Sequence, residues 1–168
     1  MSVQSDYLIR DARPGEFDAA AKIMLAAYEQ YKAYMPPPAW EAYSKDLVDV
    51  GSRAEASQLI VAEQDGRLLG AVTFFPDAPQ GENWPDGYTY VRLLAVAPTG
   101  RGRGIGRALM EECIERSRTL QATYIALHTT GIMEVARSMY ERMGFQRVPA
   151  HDFKPAPQIT VEAFRLKL

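Results

Sequence analysis

The chain has 168 residues, 47% of them hydrophobic and 24% charged, with a formal net charge of -2 and a single cysteine, Cys113. That length and apolar content suit one domain, residues 1–168, whose core needs no staple; one cysteine excludes an internal disulfide, and with no Cys/His cluster at metal-ligand spacing no metal is expected. The slightly acidic balance argues against nucleic acid as a partner, no apolar run reaches the length of a membrane span, and the opening MSVQSD lacks a basic stretch followed by an apolar one, so a cytoplasmic protein without membrane contact is expected.

Residues 7–12 read as a short strand, stopped by Pro14 and Gly15. Residues 18–33 read as a helix with Ile23, Met24, Ala27, Tyr28, Tyr31 and Met35 along one side; Pro36, Pro37 and Pro38 break it, and residues 40–50 form a second helix. Tyr28, Tyr31, Tyr34, Trp40 and Tyr43 gather amphipathic rings there, which either close a core or line a pocket while offering hydroxyls. Residues 58–63 and 67–75 are two strands joined through Asp65-Gly66, a hairpin signal. Residues 76–87 form a polar loop with Trp84, Asp77, Glu82 and Asp86, either a solvated loop or a rim that attracts a cationic amine.

Residues 88–107 carry the densest signal. Val91, Leu93, Ala95 and Ala97 alternate with Tyr90, Arg92, Leu94 and Val96 in a run that is apolar on both faces, as in a buried central strand, and Pro98 ends its ladder. Gly100, Gly102, Gly104 and Gly106 follow at every second position and lead into a helix with an apolar stripe at Ile105, Leu109, Cys113 and Leu120. Bare glycines let a ligand approach the backbone, and the free N–H groups and dipole of a helix start favour an anion. Arg101, Arg103 and Arg107 add local positive charge, so a phosphate or pyrophosphate is expected. Arg107-Ala108 stands where a P-loop needs Lys-Ser/Thr, and the third glycine of a Rossmann fingerprint would fall on Arg107, so neither nucleotide motif is met.

Beyond this helix, residues 123–128 read as a second buried strand ending at His128, and residues 133–143 as a helix with Ala136, Met139, Tyr140 and Met143 on one face. Gly144 stops that helix; residues 145–148 and 158–168 give two more strands across a proline-bearing loop, 149–157. Strands and helices in this order indicate an α+β or α/β fold with a mixed central sheet of about six to seven strands flanked by helices.

Arg101, Gly104 and Gly106 match R/Q-x-x-G-x-G/A, and Ala136, Tyr140, Gly144 and Phe145 match A-x-x-x-Y-x-x-x-G-F downstream. Two motifs in this order resemble the GNAT superfamily of N-acetyltransferases over most of the chain. The resemblance implies an acyl-CoA N-acyltransferase fold splayed between the fourth and fifth strands, here between residues 93–98 and 123–128. It also implies acetyl-CoA as co-substrate, bound by Leu94, Ala95, Val96, Arg101, Gly102, Arg103, Gly104, Ile105, Gly106 and Arg107. Tyr140 would be the general acid for the departing thiolate, a backbone N–H near Val96 would face the oxyanion, and Tyr28, Tyr31, Tyr90 and His128 would meet the acceptor.

Two positions depart from the family's pattern. Tyr90 stands where many relatives carry a glutamate base, and Met133 where an asparagine often contacts the pantetheine arm. The base is therefore open between His128, whose intrinsic pKa suits the task, and a water relay. A small-molecule amine is the expected acceptor; a protein N-terminus or lysine is the alternative, a non-catalytic acyl-CoA-binding module is the reading from another class, and monomer and homodimer stay open.

Overall fold

The computed structural model describes residues 6–168, so the reading of the opening residues as free of a targeting segment falls almost entirely outside it. Strand β1 (Leu8–Asp11) turns through Pro14 into helix α1 (Phe17–Tyr28), which buries Ala20, Ala21, Met24 and Ala27. The helix expected to reach residue 33 stays α-helical only to Tyr28 and tightens into a 3-10 segment, Glu29–Tyr34. The prolines that follow cannot donate to another α turn, and i to i+3 bonds close the segment before them. Helix α2 (Pro37–Val48) starts on proline at its first position, and α3 (Val50–Arg53) is a separate turn.

Strands β2 (Gln58–Gln64) and β3 (Arg67–Phe75) form the expected hairpin, with Asp65 at φ 50° and Gly66 at φ 78° supplying the two left-handed positions of its turn. After them come β4 (Tyr88–Val96), α4 (Ile105–Thr119), β5 (Tyr124–Thr130), α5 (Glu134–Arg142), β6 (Gln146–Arg147), β7 (Phe153–Ala156) and β8 (Ile159–Lys167). β7 lies in the stretch read as a loop: Pro155 hides it from a propensity argument, yet as an edge strand paired only with β8 it can carry a proline. Among the described residues the sheet therefore has eight strands, in the order β1-β2-β3-β4-β5-β8-β6 with β7 on β8, where about six to seven were expected. Among the described residues only β4 and β5 pair in parallel, joined by the α4 crossover.

Each face of the sheet has its own core. On one, Ile60, Val72 and Phe74 meet Ile105, Leu109 and Cys113 of α4 and Tyr140 of α5; on the other, Val61 and Ala71 meet Met24 of α1 and Leu47 of α2. Gly70 permits the first contact, since a Cβ there would stand 2.9 Å from an Ile105 methyl and 3.1 Å from the Ala95 carbonyl oxygen. The α4 stripe runs through Ile105, Leu109 and Cys113 as expected but not to Leu120, which is 52% exposed. The helix ends at Thr119, and its last buried position is Ser117, whose hydroxyl is satisfied by Thr89 at 2.7 Å and the Cys113 carbonyl at 2.8 Å.

β4 carries the one irregularity that shapes the rest. Its register with β3 moves from Thr73↔Arg92 to Ala71↔Ala95, one residue more on β4 than on β3, and Leu93 sits at φ 55°. Such a bulge reverses which face each later side chain meets. Val91 accordingly packs with Leu94 and Val96 beneath α4, while Leu93 and Ala95 pack under α1. The sequence places Val91, Leu93, Ala95 and Ala97 on one face; the extra residue divides them. Pairing of β4 with β5 stops at Val91↔Leu127, so residues 92–96 and 128–130 diverge, and the splay expected between the fourth and fifth strands is present.

Candidate active site

The glycine-rich turn stands at the end of the splayed strand. Gly102 and Gly104 both have φ 75°, a conformation that a Cβ strains, and nothing lies within 4 Å of where either Cβ would be. Gly104 caps α4, and the first helical bond is Ala108 N–H to the Gly104 carbonyl, so the N–H groups of Ile105, Gly106 and Arg107 have no intrahelical acceptor. Gly100 has a different task. Its Cβ would come 3.0 Å from an Ile105 methyl and 3.1 Å from the Leu69 carbonyl oxygen, so it lets the turn pack on β3.

The three arginines of the turn divide in the same way. Arg103 donates to Asp6 at 2.6 Å and Gln64 at 3.0 Å, fastening the turn to the β1–β2 end of the sheet. Arg107 pairs with Glu111 one helical turn on, at 2.8 Å. Arg101 is exposed and has no ion-pair partner among the described residues, which leaves its charge available to an anion. Open glycines, free N–H groups and an uncommitted arginine form a donor set that fits a pyrophosphate.

From this turn the free edge of residues 92–96 runs back along the gap. The break in the strand falls at Leu93 rather than at Val96, which is in register with Gly70; Leu94 offers its carbonyl to the Tyr28 hydroxyl at 3.0 Å. A Cβ on Gly106 would meet Val96 at 3.6 Å, Leu94 at 3.9 Å and Met139 sulfur at 3.9 Å, so the helix start, the strand edge and α5 converge there. Tyr140 lies on the inner face of α5, 6% exposed, with its ring tilted against Phe145 at 5.8 Å. Its hydroxyl has no hydrogen-bond partner among the described residues, yet it is not sealed from solvent. Burial, and after it Cys113, Tyr31 and Tyr43, push the phenol pKa up, so it holds its proton throughout the neutral range.

On the far side of the gap a cavity of about 300 Å³ is walled by Tyr28, Tyr43, Tyr90, Arg92, His128 and Phe153, among mostly apolar neighbours. Three of the four sequence-predicted acceptor residues, Tyr28, Tyr90 and His128, line it together. Tyr31 does not: it packs edge-on to Tyr28 at 5.9 Å, half-buried, and the charge that reaches it is that of Arg101. Met133 lines the cavity beside Thr130, whose buried hydroxyl has no partner among the described residues. Arg92 points toward α2 and pairs with Asp46 at 2.9 Å.

Phe153 escaped the sequence, and Glu82 was one of the loop acids for which a solvated loop and a rim both stayed open. Phe153 on β7 stands edge-on to His128 at 5.2 Å and closes the cavity from the strand that the proline concealed. Glu82 comes from the loop expected to be solvated or a rim: Trp84 stacks between His151 at 4.2 Å and Tyr88 at 5.6 Å, pinning the loop, and Glu82 reaches inward to 3.3 Å from His128 Nδ1. A lone tryptophan amid acids and prolines was the available signal. His128 lies within β5 rather than at its exit, paired with Ala163. Burial lowers its pKa, against the pull of the His151 carbonyl and of Glu82, so the ring is neutral at neutral pH.

No helix among the described residues is long and apolar enough to cross a membrane. Comparison with known proteins agrees with this layout. Residues 20–145 match the model of the acetyltransferase (GNAT) family. A mycothiol acetyltransferase of Beutenbergia cavernae is 33% identical over 55% of the chain, which spans 29% of that relative's length. An IAA acetyltransferase of Azospirillum brasilense is 27% identical over 87% of the chain and 90% of its own length. The PaiA N-acetyltransferase of Thermoplasma acidophilum, solved in complex with coenzyme A, superposes with a TM-score of 0.74 at 13% identity, covering 96% of this chain and 99% of that one. With the family model covering most of its length and the splayed strand, glycine turn and inward tyrosine all in place, the chain belongs to the GNAT family of acetyltransferases.

Proposed function

We propose that the chain is an acetyl-CoA-dependent N-acetyltransferase acting on a small-molecule amine, with Tyr140 as its proton donor. The observation that carries this reading is the divergence of β4 from β5 after Val91, which puts a bare strand edge between the anion-suited turn and the cavity. The mycothiol and IAA acetyltransferases, named for small molecules, support a small-molecule acceptor, and the PaiA complex supports coenzyme A as the carrier.

Acetyl-CoA, when bound, supplies an acetyl group on a thioester and a thiolate leaving group. The chain's residues meet it in three ways. The N–H groups of Ile105, Gly106 and Arg107, with Gly102 and Gly104 clearing the approach and Arg101 adding charge, hold the pyrophosphate; the helix dipole assists. Arg103 holds the turn in shape from behind. Backbone groups of Leu94, Ala95 and Val96, left without a partner on the β5 side, meet the pantetheine amides in place of that strand, and the unpaired N–H groups of this bulged edge are the donors for a carbonyl oxygen that gains charge. Tyr140 holds a proton on Oη and offers it to the sulfur; since its pKa is raised further above that of a thiol, a hydrogen bond in the transition state costs less than full transfer.

The acceptor takes the cavity. Tyr28, Tyr90 and His128 surround it with rings, Tyr31 buttresses Tyr28, and the walls suit a compact amine with an apolar body. A thermal-shift series with coenzyme A, NAD and ATP, followed by mass spectrometry of an amine panel that includes short peptides, tests the reading. Coenzyme A should stabilise most, and small amines should be acetylated. Greater stabilisation by NAD or ATP, or acetylation confined to peptides, would refute it.

A further inference from the structure

The geometry points to a proton relay of Tyr90, His128 and Glu82 in the cavity wall, which takes the proton that the acceptor amine loses. It rests on the acetyl-transfer reading and adds the base which the sequence leaves open.

His128 Nε2 lies 3.0 Å from the His151 carbonyl oxygen, which can only accept, so Nε2 carries the hydrogen of the neutral ring. Nδ1 then bears a lone pair, and the Tyr90 hydroxyl, 2.6 Å away, donates to it. Glu82 Oε2 stands 3.3 Å from the same nitrogen. Should Nδ1 gain a proton, its new N–H would face a carboxylate while Nε2–H keeps its carbonyl. Both protonation states are satisfied without a movement of the ring.

As the amine nitrogen bonds to the acyl carbon its N–H bond becomes acidic. That N–H bond breaks toward Tyr90 Oη while the O–H proton of Tyr90 passes to His128 Nδ1. Tyr90 ends with one proton as it began, the nitrogen loses a positive charge, and the imidazolium gains it. No oxidant or further reactant is involved.

The charged and titratable groups that face His128 come from three elements: Glu82 from the loop, Tyr90 from β4, and His151 and Asp152 from the turn before β7. Arg147 holds Asp152 through two contacts of 2.6 Å, so Glu82 is the carboxylate left to face the ring. Trp84 at 5.6 Å and Phe153 at 5.2 Å fence the imidazole from solvent, which keeps it neutral and able to accept.

The chain has only two histidines, so nitrogen NMR of histidine-labelled protein, without substrate, reads the relay directly. The Nε2–H tautomer is expected for His128, and Glu82→Gln should lower its pKa by about one unit, a tenfold loss in proton affinity. The acid limb of kcat/KM for the amine should fall at the pKa that NMR measures and move to lower pH with it in Glu82→Gln. Tyr90→Phe keeps the ring against Phe75, at 6.2 Å, and should lower kcat by roughly tenfold or more while leaving the thermal shift by coenzyme A unchanged. An Nδ1–H tautomer, a limb that ignores the Glu82→Gln shift, or full turnover in Tyr90→Phe would overturn the relay alone. A wild-type protein that acetylates no amine would overturn the acetyl-transfer reading, and the relay with it.

Discussion

The turn at the start of α4 and the cavity across the gap hold ligands by opposite means. The turn is almost all backbone: seven consecutive residues, 101–107, supply conformation and N–H groups, and two of its three arginines are engaged elsewhere. The cavity is almost all side chain, brought together from α1, α2, the 76–87 loop, β4, β5 and β7, with Tyr28 and Phe153 separated by most of the chain. A site made of backbone is lost when the path of the chain changes or the wrong charge enters it. A site made of side chains loses its members one at a time, and each loss should leave the other site intact.

The largest effect is expected at the turn. Gly104→Glu forces a side chain onto φ 75° and puts a negative charge where an anion would sit. At a ligand concentration of a hundred times Kd, coenzyme A should stabilise the wild-type protein by about 2.7 kcal/mol, and the variant should show no rise in Tm. A retained shift would remove the pyrophosphate from this turn.

Tyr140→Phe comes next and tests the junction between the two sites. The hydroxyl has no partner among the described residues, so its loss leaves no buried group unsatisfied, and Tm should hold. Turnover should fall by roughly ten- to a thousandfold, about 1.4 to 4 kcal/mol, the range for one transition-state donor. Normal kcat would take Tyr140 out of the mechanism.

The same contrast explains what could be read from the sequence. The strand, the glycines, the helix behind them and the A-x-x-x-Y face of α5 are contiguous, and local periodicity or turn chemistry reveals each. The bulge is not: Leu93 is an ordinary strand residue whose φ of 55° comes from its register with β3, and only tertiary pairing shows that Val91 and Leu93 part company there. Phe153 and the inward reach of Glu82 were hidden for a related reason. An acid in a polar loop and a phenylalanine beside a proline are unremarkable until Trp84, stacked on His151, draws the loop in and β8 pairs with β7. β4 carries Tyr90 where many relatives have a glutamate; the fold brings Glu82, 8 residues earlier, to 3.3 Å from the His128 nitrogen that Tyr90 also reaches.

Phe153→Ala should act on the cavity alone. The ring is 47% exposed, so its loss removes only part of an aromatic wall, about 1 kcal/mol of contact with an apolar acceptor, or roughly fivefold in the acceptor's KM. The KM for acetyl-CoA should not move. Equal change in both constants would mean that β7 supports the fold rather than the pocket.

The smallest effect is expected from Tyr31→Ala, the residue on which sequence and structure differ most about the acceptor. Its place in the 3-10 segment after α1 turns the ring out of the cavity wall; it touches Tyr28 edge-on at 5.9 Å, and Tyr28 is held independently by its bond of 3.0 Å to the Leu94 carbonyl. An edge-to-face pair contributes about 0.5–1.5 kcal/mol beyond area, and only the share transmitted through Tyr28 reaches the acceptor. The acceptor's KM should therefore rise by less than about threefold, and Tm should fall slightly with the lost packing. A rise of tenfold or more at unchanged Tm would put Tyr31 in direct contact with the acceptor and extend the cavity along the 3-10 segment toward Arg101.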